Sequence, residues 1–99
     1  MYSIEYASRV ADDLEGLRAF DRNLLLDRIE EELLHQPKQT TQNKKELVGL
    51  VPPWESEEPT WELRSGEYRI FYDVDEEEGQ VTVRAIRRKP PHKTTEEVL

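Results

Sequence analysis

Five cations and no acid fall between residues 84 and 93: Arg84, Arg87, Arg88, Lys89 and Lys93, with His92 among them. The chain has 99 residues and a formal net charge of −8, so everything outside that decade sums to −13 with histidine neutral. Charge is segregated along the sequence, as a local anion site on an acidic body requires. Guanidinium forks match phosphate oxygens, and ammonium groups act as point charges. An imidazole adds a group that exchanges protons near neutral pH. These types suit contact with a phosphodiester, so one reading is an RNA-facing site. The plainer reading is a solvated basic tail beside acidic neighbours.

The elements that would position these groups follow from periodicity. Tyr2, Ile4 and Tyr6 alternate with polar residues, the period of a half-buried strand. Ser8 is placed to cap a helix starting near Arg9, with Val10, Leu14 and Leu17 at helical spacing. A second helix is expected from Arg22 to about His35, with Asp21 as cap or first-turn acid and Leu24, Leu25, Ile29 and Leu33 as its apolar side. The short gap between the helices favours a hairpin, and Pro37 ends it. Residues 36–60 are polar, then proline-broken, with one short edge segment expected near 46–51. Three strands follow: 60–64, 68–74, and 80 to about 87. Alternation puts Ile70, Tyr72 and Val74 opposite Arg69, Phe71 and Asp73, and puts Val81, Val83 and Ala85 opposite Thr82, Arg84 and Ile86. Thr95 is expected to cap a last short turn, Glu96 to Leu99. The order is β-α-α-β-β-β. This is an α+β fold, an antiparallel sheet with a two-helix hairpin on one face, in one domain spanning residues 1–99. The other face is left to solvent or a partner.

Composition narrows the classes. No apolar run approaches the length of a membrane span, and Met1 to Tyr6 lacks the pattern of a signal peptide. There is no cysteine, hence no disulfide framework and no thiolate metal site. A cytoplasmic protein with no membrane association, no metal and no cofactor is expected. No Gly-rich phosphate loop or Ser/His/Asp set is present.

In the stretch Glu62-Leu63-Arg64-Ser65-Gly66-Glu67-Tyr68-Arg69-Ile70-Phe71-Tyr72, the chain resembles the RelE/ParE superfamily of bacterial toxin–antitoxin toxins. The likeness extends to the first strand, the Ala11–Leu17 helix, Lys45-x-Leu47-x-Gly49 and the strand ending in Ala85-Ile86. The RelE-like branch implies an mRNA endoribonuclease acting on translated mRNA at the ribosome. There, without metal, a 2′-hydroxyl attacks the adjacent phosphate and cationic side chains stabilise the developing charge. The ParE-like branch implies inhibition of DNA gyrase by binding. Both imply a cognate antitoxin protein. A third alternative is a degenerate toxin that only binds its antitoxin.

The resemblance assigns roles to residues. Arg69 becomes a phosphate clamp, against the alternative of a strand cation paired with Glu62 or Asp73. One of Arg87 and Arg88 becomes the second arginine, and strand alternation forbids both from facing the same way. His92 is the acid–base candidate, against an exposed loop histidine. Lys44, Lys45, Arg64, Arg84, Lys89 and Lys93 are the RNA-binding candidates. Thr60, Trp61 and Glu62 stand where fast-cleaving relatives carry lysines, so Glu62 is either a general base or a cross-strand partner of Arg69. Trp54 and Trp61 are read as core or loop anchors.

Overall fold

The structure is a computed structural model describing residues 1–99. The Tyr2-Ile4-Tyr6 alternation yields β1 (Ser3–Tyr6), followed by α1 (Ser8–Glu15) and α2 (Ala19–Leu33). Then come β2 (Lys44–Leu47), β3 (Thr60–Ser65), β4 (Tyr68–Asp75), β5 (Gln80–Arg88) and α3 (Thr95–Val98). The strands form one sheet in the order β1-β5-β4-β3-β2.

From β2 to β5 the sheet is antiparallel, as expected. β1 instead lies parallel to β5, Ile4 opposite Val81. The cause is the connection. The helical hairpin carries the chain to the far edge, and three reversals from β2 to β5 bring the last strand back pointing the way β1 does.

Several boundaries moved for local reasons. α1 has Ala7 as its extended N-cap, leaving Ser8 inside the helix with no capping bond. α2 starts at Ala19 with Arg18 as N-cap, and Asp21 serves in the first turn. An acid there favours the positive end of the helix dipole. β2 comes two residues early because Thr41 builds the turn before it. Its Oγ1 accepts from the Asn43 and Lys44 amides, and its own amide donates to the Lys44 carbonyl. The last turn is capped by Thr94 in a reciprocal bond pair with Glu97.

The helices cover one face of the sheet. Val10, Leu25, Ile29 and Leu33 pack on Trp61, Leu63, Ile70, Tyr72, Val81, Val83 and Ile86. Leu24, expected on this apolar side, is half exposed. A second, smaller cluster of Leu47, Trp54, Phe71 and Ala85 lies on the opposite face, with Leu50 and Leu99 packed against it.

One irregularity decides which arginines face which way. Phe71 pairs with Ala85 but Tyr72 pairs with Val83, so Arg84 is an extra residue in β5. A bulge of this kind inverts the alternation beyond it. Ile86 therefore joins Val81 and Val83 under the helices, and Ala85 moves to the other face with Phe71. Simple alternation had grouped Ala85 with Val81 and Val83, and Ile86 with Thr82.

Candidate functional site

Register lines up the arginines. Arg64 pairs with Arg69, and Arg69 pairs with Arg87, so three strands place one arginine each in a single row. The next row is Lys45, Glu62, Phe71 and Ala85. Directly paired residues share a face, and Phe71 and Ala85 show that this is the face away from the helices. The β3–β4 turn fixes the row's end. Gly66 sits at φ 59°, which a two-residue hairpin turn with glycine first demands. Its carbonyl then accepts from Arg69 Nη1 at 2.9 Å, alongside the Tyr68 carbonyl at 2.9 Å.

Most cations of this acidic chain are spent on carboxylates. Arg9, Arg22, Arg64, Arg69 and Lys89 alone have none within 4.0 Å. Arg64, Arg69 and Lys89 line one cleft of about 180 Å³, together with Lys44, Lys45, Glu62, Thr95 and the 41–43 turn. None of its lining residues is hydrophobic. Arg69 is buried at 5% exposure. Burial pulls its guanidinium below the ordinary value, the Glu62 charge opposes that, and Arg64 adds to it. Glu62 is equally buried and accepts a hydrogen bond from Thr95 Oγ1 at 2.8 Å, with Lys45 Nζ 3.9 Å from its other oxygen. Of the five cationic residues that line the cleft, all but Lys44 leave their charged groups free of the helix-end carbonyls, around one buried carboxylate. The cleft can hold an anion and offer a base beside it.

The remaining candidates lie outside the cleft or, in the case of Lys44, line it while the ammonium points away. Lys44 turns to the helix face, where Nζ donates to the Glu32 and Gln36 carbonyls at 2.9 Å each. There it closes the end of α2, and its ammonium is turned away from the anion-facing row. Arg84 is taken by Asp73 through Nε at 2.7 Å and Nη2 at 3.3 Å, which raises its pKa against the opposing effect of burial. Arg87 is the member of the Arg87–Arg88 pair that faces the row. It is diverted to Asp13 Oδ1 at 3.1 Å and stacks over Trp54 at 5.2 Å. Arg88 points to the helix side and pairs with Glu67 at 3.1 Å. Lys93 reaches Glu97 at 3.9 Å, and His92 is exposed on the segment leading to α3. No three His, Asp or Glu side chains gather as a metal would need.

Three participants were missed by sequence. Thr95 was read only as a helix cap. No role was expected for Asp13, yet it accepts from the Ile86 amide at 3.0 Å as well as from Arg87. Trp54 closes over the open face between Arg9, at 5.5 Å, and Arg87. Trp54 was expected as a core or loop anchor and is buried in the second cluster; what was missed is its stacking under the two arginines.

The profile of the family described as ParE toxin of type II toxin–antitoxin system, parDE, matches residues 4–89. No curated relative matches by sequence. Among solved structures, the intact Escherichia coli RelBE toxin–antitoxin complex contains a chain 26% identical, with a TM-score of 0.63 over 93% of this chain and 100% of that one. The isolated E. coli RelE toxin is 24% identical, TM-score 0.65, over 98% and 94%. The RelBE2 complex of Mycobacterium tuberculosis contains a chain 17% identical, TM-score 0.66, over 89% and 98%.

Proposed function

The chain belongs to the ParE toxin family of type II toxin–antitoxin systems, and from that premise we propose that it is a RelE-like endoribonuclease acting on translated mRNA in the cytoplasm. The carrying observation is the cleft where three of the five unpaired cations of an acidic protein surround a buried carboxylate. An RNA phosphate fits between Arg64, Arg69, Lys89 and Lys45. Glu62 takes the proton of the neighbouring ribose 2′-hydroxyl, the 2′-oxygen attacks phosphorus, and the phosphorus–O5′ bond breaks. His92, which lies in sequence between the cleft residues Lys89 and Thr95, is the group we assign to return a proton to the departing 5′-oxygen. The products are a 2′,3′-cyclic phosphate and a 5′-hydroxyl. The arginines bear the charge that develops on the phosphoryl oxygens. A cognate antitoxin is the proposed partner, by analogy with the RelBE complexes.

The test is cleavage of mRNA, free and on ribosomes, with a chelator present and the product ends mapped. Arg69→Ala is expected to lower kcat/KM by about a hundredfold or more, the scale of a lost oxyanion donor. Normal growth on induction, with no new mRNA ends, would sink the proposal.

A ParE-like gyrase inhibitor is the second reading, favoured by the family profile itself. Loss of supercoiling by purified gyrase on adding the protein, with RNA left intact, would select it.

A further inference from the structure

The one hydroxyl that touches Glu62 belongs to the protein. Thr95 Oγ1 donates to Glu62 Oε2 at 2.8 Å, and both residues line the cationic cleft. This is the contact a ribose 2′-hydroxyl has to make before it can react. The segment carrying Thr95 is lightly held. α3 is four residues long with no buried residue, far below the length at which a helix is stable alone. Its ties are the Thr94–Glu97 capping pair, the Lys93–Glu97 ion pair, the Glu62 bond and the packing of Leu99 on the cluster of Leu47, Trp54, Phe71 and Ala85. Pro90 and Pro91 separate it from β5, whose ladder ends at Arg88, so displacing the segment breaks no ladder bond.

We propose that Thr95 is an intramolecular stand-in for the substrate's ribose 2′-hydroxyl, and that RNA must displace it from Glu62 to be read as RNA. The proposal rests on the assignment of the cleft to RNA. It makes Glu62 the group that distinguishes ribose from deoxyribose, since only ribose carries the competing donor. It makes the α3 segment a self-competitor that lowers affinity for RNA and leaves affinity for DNA unchanged.

Two full-length variants test this. Thr95→Val keeps the branched shape and removes the donor, and Thr95→Ser keeps the donor. Binding of a short single-stranded RNA and of the DNA of the same sequence is followed by fluorescence anisotropy, with cleavage measured separately. Thr95→Val is expected to tighten RNA binding by about ten- to a hundredfold, the range of one hydrogen bond to a charged group. DNA binding stays constant, and Thr95→Ser behaves as the parent. RNA binding that is unchanged or weakened in Thr95→Val overturns the proposal, as does equal tightening for DNA. If RNA tightens selectively but no form cleaves, the competition stands and the nuclease assignment falls. If cleavage occurs but the RNA preference does not move, the competition falls and the assignment stands. If neither nucleic acid binds, both fall.

Discussion

Lys44 and Lys45 are neighbours with opposite work. Lys44 Nζ satisfies two carbonyls at the C-terminal end of α2 and lies 3.5 Å from Glu32. Lys45 is largely exposed and stands at the cleft. Lys44→Met should cost about 1–3 kcal/mol, because it removes a buried ammonium from two helix-end carbonyls and from Glu32. Lys45→Met should leave stability within about 0.5 kcal/mol, as surface changes do, and weaken RNA binding instead. Urea denaturation of both variants checks this, and equal stability loss would refute it. Sequence could not separate the pair. Strand parity distinguishes them only once the register with Leu63 and Glu62 is known, and register is a long-range property.

Asp13 adds a polar tie between α1 and β5 beside the packing of Val10 on Val81, Val83 and Ile86. Asp13 accepts from the Ile86 amide and from Arg87, so it holds helix to strand and holds Arg87 away from the cleft. Asp13→Ala should destabilise the protein by about 1–3 kcal/mol, the cost of an unsatisfied buried amide and a lost charged contact. Thermal unfolding measures it. The variant also releases Arg87 toward the row shared by Arg64 and Arg69, and RNA affinity should rise. The elements themselves were legible. Alternation gave β1, the Leu25-Ile29-Leu33 stripe gave α2, and Gly66 marked the β3–β4 turn. What periodicity could not supply was the bulge at Arg84. Nothing in Val-Arg-Ala-Ile marks an extra residue, and the contacts that accompany the slip, Ala85 packed with Phe71 and Arg84 paired with Asp73, are both between strands. That one residue sent Ile86 into the core, and strand parity gave Arg87, not Arg88, to the arginine row. Glu62 and Arg69 were legible as a place of interest, whereas Thr95 was not. Its contact spans 33 residues of sequence.

Stability should respond to alkali through a buried phenol. Tyr72 is fully buried and donates to the Pro37 carbonyl at 2.6 Å. Burial, with a smaller contribution from Glu32, raises its pKa well above the ordinary 10.0. Below 10.0 the proton is bound in both states and costs nothing. Above it the unfolded chain ionises while the folded chain does not, so stability falls by up to about 1.4 kcal/mol per pH unit from this group. Tyr2 and Tyr6 lean the same way. Denaturation midpoints at pH 8 to 11 should fall above 10 in the parent and fall less in Tyr72→Phe, and identical slopes would refute the assignment. The charge of the molecule is also polar in the geometric sense. Arg69 stands at one end of β4, while Glu57, Glu58, Asp75, Glu76 and Glu77 surround a shallow groove at the other. A polyanion is repelled from one end and admitted at the other, so a net charge of −8 is compatible with an RNA site.

The parallel pairing of β1 with β5 sets the order of assembly. Residues 3–6 emerge from a ribosome well before their strand partner, residues 80–83. Contacts of such long sequence separation form late and slowly. During synthesis β1 has no partner strand, and the row of arginines has no third strand to complete it. In a chain proposed to act on translated mRNA, the fold is therefore incomplete until its own message has been read past those residues.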